Sequence, residues 1–150
     1  MTSEFPIALH ALIHLNIKAT TVSSAALSDV VCTNPTRVRK IMAKLKKANL
    51  VITKEGTDGG YFFHQDASAV TLKQIIDAIQ APIVTSNWYS SSTFLNCPSA
   101  AVMNSILTTI CTHLDNCCKK KLMNITLWDV QQQFEGALQT PIHKNNQLLG

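Results

Sequence analysis

Asn34-Pro35-Thr36-Arg37-Val38-Arg39-Lys40-Ile41-Met42-Ala43-Lys44-Leu45-Lys46-Lys47 is the stretch on which the reading of this chain turns. Asn34 can cap a helix, because its side-chain oxygen accepts from a free N–H at the helix start, and Pro35 suits the first helical position, where a missing N–H leaves nothing unpaired. Val38, Ile41, Met42 and Leu45 then fall at i, i+3, i+4 and i+7 and make one buried stripe. Thr36, Lys40, Ala43 and Lys47 occupy the opposite face, flanked by Arg37 and Lys44 on one side and Arg39 on the other. A basic surface with small residues interleaved lets a helix sit deep in the major groove.

On the N-terminal side, Phe5, Ala8, Leu9, Leu12, Ile13 and Leu15 recur at helical spacing and predict a first helix up to about Ile17. Thr20-Thr21 interrupts it. Ser23 or Ser24 can cap a short helix through Ala25, Ala26, Leu27, Val30 and Val31, and Cys32-Thr33 makes the break before Asn34. A short helix, a tight break and a basic amphipathic helix make a helix-turn-helix. On the C-terminal side, Leu50-Val51-Ile52-Thr53 is rich in β-branched residues, Glu55-Gly56-Thr57-Asp58-Gly59-Gly60 is turn-forming, and Tyr61-Phe62-Phe63 resumes extended chain. This is a hairpin, the wing. Its glycines allow close approach to a nucleic-acid backbone, and an ordinary hairpin turn explains them equally well.

Thr71-Leu72-Lys73-Gln74 has the form of a capping box, and Leu72, Ile75, Ile76 and Ile79 supply the stripe of the next helix. Ala81 to Asn96, polar and serine-rich around Trp88-Tyr89, reads as a long mobile loop. Trp88, Tyr89 and Phe94 in that loop could line a pocket for a small effector or form a loose cover over the following helix. From Pro98 a long helix is expected, with Met103, Ile106, Leu107, Ile110, Leu114 and Cys117 at near-heptad spacing. That pattern pairs a helix with another helix, and it assigns the segment to dimerisation. Thr126 caps a last helix bearing Leu127, Val130, Phe134 and Leu138. The fold class is therefore mainly α with a small β-hairpin wing: a winged helix-turn-helix over residues 1–80, a loop over 81–96, the dimerisation and C-terminal helices over 97–138, and a flexible tail over 139–150.

Composition agrees. The chain has 150 residues, 46% hydrophobic and 15% charged, which excludes a disordered polypeptide and leaves more apolar surface than a small monomer easily hides. No uninterrupted apolar stretch reaches the roughly 20 residues that cross a bilayer, and the N-terminus has no leader pattern, so a soluble cytoplasmic protein is expected. The net charge of +4 says less than its placement. Between Val30 and Lys54 there is no acidic residue, while Arg37, Arg39, Lys40, Lys44, Lys46, Lys47 and Lys54 supply seven of the 13 cations, an electrostatic footprint for phosphate.

Five cysteines, Cys32, Cys97, Cys111, Cys117 and Cys118, form no C-x-x-C pair and suit reduced thiols better than a disulfide framework or a zinc site. Cys32 before the helix at Asn34, and Cys97 at the start of the long helix, are the redox candidates, because a helix N-terminus favours thiolate. Small buried apolar residues are the other reading for both. Cys117 shares the stripe of Ile110 and Leu114 and is expected in a core. His10 and His14, at i, i+4, lack acidic or thiol neighbours and read as a helix surface or a partly buried pair rather than metal ligands. No metal site is expected. No Ser/His/Asp arrangement, phosphate loop or paired carboxylates suggests an enzyme.

The chain resembles the Rrf2 family of bacterial winged-helix regulators from the first helix to about Phe134. Four segments carry the resemblance: Ala8-Leu9-His10-Ala11-Leu12, Asn34 to Ile41, Gly56-Thr57-Asp58-Gly59-Gly60-Tyr61, and Ile125-Thr126-Leu127-Trp128-Asp129-Val130. The string Thr33-Asn34-Pro35-x-x-Val38-Arg39 is similar to the YwnA-type members. The resemblance implies a homodimer on crossed long helices that represses genes at a palindromic operator. Many members hold an iron–sulfur cluster through three closely spaced cysteines at the start of the dimerisation helix. This chain departs from that pattern, since the thiol after Cys97-Pro98 is Cys111, roughly four helical turns on. No cofactor is expected.

The function that follows is sequence-specific binding of double-stranded DNA. Thr36, Arg37, Arg39 and Lys40 are placed near base edges, Lys44 and Lys47 on phosphates, Gly56, Thr57, Asp58, Gly59, Gly60 and Tyr61 along the minor groove, and Ser24, Thr33, Asn34 and Pro35 at the same surface. The alternative is a winged-helix module whose basic face contacts acidic protein.

Overall fold

The computed structural model describes residues 3–85 and 98–139. Its elements run α1 (Glu4–Lys18), α2 (Ser24–Val30), α3 (Pro35–Lys47), β1 (Ile52–Lys54), β2 (Gly60–Phe62), α4 (Leu72–Ile79), α5 (Pro98–Leu122) and α6 (Leu127–Gln139). Local signals set most boundaries. Ser23 Oγ accepts from the Ala26 N–H at 3.2 Å, and Asn34 Oδ1 accepts from the Arg37 N–H at 2.8 Å. At α4 the capping box closes in both directions: Thr71 Oγ1 accepts from the Gln74 N–H, and Gln74 Oε1 accepts from the Thr71 N–H. Thr126 and Asp129 form the equivalent pair at α6.

One core joins these elements. Leu12 and Leu15 of α1, Leu27 of α2, Ile41, Met42 and Leu45 of α3, Ile75, Ile76 and Ile79 of α4, and Leu127 of α6 are all fully buried. The expected stripes of α3 and α4 are thus the buried ones. Leu50 and Val51, read from sequence as the start of a strand, instead turn into the core, and the strand begins at Ile52. Asn49 with φ 57° makes that bend as α3 ends.

The wing pairs Ile52 with Phe62, Thr53 with Tyr61 and Lys54 with Gly60, antiparallel. A third strand-like contact was not foreseen. The Val22 N–H donates to the Tyr61 carbonyl at 2.9 Å and the Tyr61 N–H to the Val22 carbonyl at 2.8 Å, tying the wing to the segment that enters α2.

Two features of the second half go beyond what the sequence spacing carries. Residues 81–85 do not behave as the start of a loose loop: Ala81 and Ile83 are buried, and Asp115 of α5 accepts from the Ile83 and Val84 N–H groups at 2.6 and 3.1 Å. Trp88, Tyr89, Phe94 and Cys97 lie outside the described residues, as does the tail from residue 140. The last helix, grouped from sequence with the dimerisation helix, packs on the winged domain. Leu127 is in the common core, its N–H donates to the Val70 carbonyl at 2.8 Å, and Asn16 of α1 donates to buried Gln131 at 2.6 Å. Among the described residues, no helix is long and apolar enough to cross a membrane.

Candidate nucleic-acid interface

Burying Val38, Ile41, Met42 and Leu45 turns the other side of α3 outward. Thr36, Arg39, Lys40, Ala43, Lys46 and Lys47 are exposed, while Pro35, Arg37 and Lys44 are half-buried at the flanks. Sequence spacing places these residues on faces, and the side-chain partners then sort the cations into two groups.

Three cations of α3 brace it against α1, the end of α4 or the wing. Lys44 Nζ donates to Glu4 Oε2 at 2.7 Å and to the Ile79 carbonyl at 3.0 Å, so it fastens α1 and the end of α4 to α3. Lys44, read from sequence as a phosphate contact, is therefore held at the flank of α3 by these two acceptors. Arg37 donates from Nη2 to Ser3 Oγ, which draws its guanidinium toward the start of α1. Lys46, which the sequence reading left out of the site, donates to Thr53 Oγ1 at 2.7 Å and ties α3 to the wing.

The other group faces outward. Lys40 and Lys47 make no ion pair or hydrogen bond with the described residues. Arg39 donates from Nη1 to Ser24 Oγ at 3.4 Å and from Nη2 to Thr36 Oγ1 at 3.2 Å. Tyr61 stands nearby on the wing. Desolvation raises its phenol above the ordinary value, and the Arg39 charge pulls it partly back, so the hydroxyl is protonated at neutral pH. Ser24, Thr36, Arg39 and Tyr61 thus come together from α2, α3 and β2.

Thr33 and Asn34 occupy the turn ahead of α3, and Asn34 spends its side-chain oxygen on the cap. Gly56, Thr57 and Asp58 are exposed at the wing tip. Gly60 has an internal cause: a Cβ there would meet the Val22 carbonyl oxygen at 2.3 Å. Gly59 is confined in the same way, by the Gly56 and Lys54 carbonyl oxygens at 2.7 Å each.

Cys32 lies in the turn between α2 and α3, exposed, with φ 50° and its Sγ 3.8 Å from the Asp29 carbonyl oxygen. The buried-apolar reading fails for it. On α5, Cys117 is exposed in the single chain, as are Ile110 and Leu114 of its stripe, and its neighbour Cys118 packs against the core. The His10 ring tilts against Phe134 at 5.5 Å, and His14 is lowered below its ordinary pKa by burial, then by Lys18 and His10.

A model of the Rrf2 family, described as an iron-dependent transcriptional regulator, matches residues 1–133. The chain belongs to the Rrf2 family. A comparison with curated proteins gives no match. Among solved structures, the Rrf2 chain is similar to a candidate transcriptional regulator from Lactobacillus plantarum, at 23% identity and TM-score 0.72 over 90% of this chain and 91% of that one. It is similar to T. potens IscR at 19% identity and TM-score 0.64, over 94% and 92% of the two chains. The third is CymR, the global cysteine regulator of B. subtilis, at 18% identity and TM-score 0.62 over 89% and 96%. These likenesses speak for the winged-helix fold. As for the iron in the family description, among the described residues no group of three or more His, Cys, Asp or Glu could hold a metal ion. Cys32 stands at the helix-turn-helix and Cys111, Cys117 and Cys118 on α5, so these four thiols do not make one donor set.

Proposed function

We propose that this Rrf2 protein is a sequence-specific DNA-binding transcription regulator that acts as a homodimer and represses by occupying a palindromic operator. The observation that carries the reading is the division of α3: Arg39, Lys40 and Lys47 outward, Val38, Ile41, Met42 and Leu45 inward. In this reading Arg39 is the guanidinium that reaches a guanine edge, Lys40 and Lys47 meet phosphates, and the tip at Gly56, Thr57 and Asp58 follows the minor groove.

The dimer is supported by α5. Val102, Met103, Ile106, Ile110 and Leu114 are each between 42% and 61% exposed, and none of the helix is buried. On a helical wheel these residues and Cys117 fill one arc, while Cys111, Asp115, Cys118 and Leu122 face the body of the protein and Leu107 lies between the two sets. So wide an apolar arc on a long helix fits a second α5. Exposed Cys32, in the turn before the reading helix, is the place where oxidation of the thiol by a peroxide would disturb DNA binding.

Gel-mobility titrations test the assignment. Arg39→Ala is expected to lose about 1–3 kcal/mol at the operator and little on unrelated duplex, Arg37→Ala to bind like the parent, and Lys47→Ala to weaken all duplexes alike while lowering the salt slope by about one. Arg39→Ala and Lys47→Ala that both bind like the parent would refute the interface.

A further inference from the structure

We propose that Ser24 and Thr36 are positioning residues, whose hydroxyls hold the Arg39 guanidinium ready to read a base, and that Gly60 sets the spacing of this clasp. The inference rests on the reading of α3 as the DNA-reading helix.

An exposed arginine ordinarily samples many rotamers and gives them up on binding, which weakens and blurs recognition. Here both terminal nitrogens of Arg39 have a hydroxyl partner, and the two come from different elements: Ser24 Oγ at 3.4 Å on α2 and Thr36 Oγ1 at 3.2 Å on α3. A guanidinium has five N–H donors, so two bonds to the clasp leave enough for a bidentate contact outward. Neither hydroxyl is needed as a helix cap, since Ser23 and Asn34 do that work.

Ser24 holds its place because the chain ahead of it is tied to the wing. Val22 and Tyr61 exchange backbone hydrogen bonds of 2.9 and 2.8 Å, and that approach exists only because residue 60 lacks a Cβ, which would lie 2.3 Å from the Val22 oxygen and 2.9 Å from the Ser23 nitrogen. Gly60, the Val22–Tyr61 bridge, Ser24 and Arg39 therefore form one mechanical sequence from the wing to the reading side chain. Its output is discrimination between sequences rather than total affinity.

The test measures fluorescence-anisotropy affinities of the full chain for a duplex selected from genomic fragments and for its scrambled version. Ser24→Ala combined with Thr36→Val is expected to lower the operator-to-scrambled ratio about two- to tenfold, with melting temperature and salt slope unchanged. Ser24→Thr with Thr36→Ser, which keeps both hydroxyls, should hold the parental ratio. In an Arg39→Ala background the Ala/Val pair should cause no further loss, which separates positioning from direct DNA contact by these hydroxyls. An unchanged ratio in the Ala/Val variant, or an equal further loss without Arg39, would overturn the clasp while leaving the regulator reading standing. A parent protein with no preference for any duplex would overturn both.

Discussion

Glu4 lies in the first turn of α1, where a carboxylate suits the helix dipole, and its oxygen stands 2.7 Å from Lys44 Nζ. The two side chains are 33% and 39% exposed, so solvent screens the pair and Lys44→Ala is expected to lower stability by only about 0.5–1 kcal/mol. Urea melts at low and high salt measure this, with the difference shrinking in salt. Asp115 is better sheltered, at 13% exposure. Desolvation works to raise its pKa, but Lys119 and the Val84 and Ile83 N–H groups outweigh that and hold it below the ordinary carboxylate value. A depressed folded pKa makes its contribution full above the unfolded value of about 4 and lost as pH falls through the folded value. Asp115→Asn should therefore destabilise by about 1–3 kcal/mol at pH 7, and the gap to the parent should close in acid. Such roles are hard to read from a sequence. Lys44 on the flank and Lys47 on the outer face look alike in the string, and only the distant Glu4 and Ile79 carbonyl, brought in by tertiary packing, make one of them a brace.

Helices announce themselves locally. The caps at Ser23, Asn34, Thr71 and Thr126, and the period of Val38, Ile41, Met42 and Leu45, involve residues within two turns of one another, which is why α2, α3, α4 and the start of α6 were legible before any coordinates. Pairings across long separations were not. The Val22–Tyr61 bridge joins single residues with no alternating pattern, and the docking of α6 depends on where Val70 and Asn16 lie in space. Leu127 offers a direct check on that docking: it is fully buried, so Leu127→Ala should cost about 2–5 kcal/mol and release α6, seen as a lower melting temperature and faster amide exchange in α1 and α6. Ile110 makes the opposite case. It is 49% exposed in the single chain, so Ile110→Glu should leave the protomer folded and convert a dimer to a monomer in sedimentation. A dimer that persists in this variant would remove α5 from the interface.

In the proposed dimer, two surfaces divide the work: the basic side of α3 with the wing, and the apolar arc of α5. Charge placement made the first visible in the sequence, since no acidic residue interrupts Val30 to Lys54. The near-heptad spacing singled out Met103, Ile106, Ile110, Leu114 and Cys117, which share the free arc, but it also took in Leu107, which lies between that arc and the body. A symmetric pair built on α5 carries two copies of α3 related by a twofold axis, and a duplex that engages both must present its half-sites with the same symmetry. Selection of bound fragments from the source genome, with the full-length protein at physiological salt, measures this directly. The expected result is enrichment of one inverted repeat, its half-site centres about 10–10.5 base pairs or a multiple apart, abolished by Arg39→Ala. Recovery of no common sequence, or of a motif without twofold symmetry that Arg39→Ala leaves intact, would contradict it.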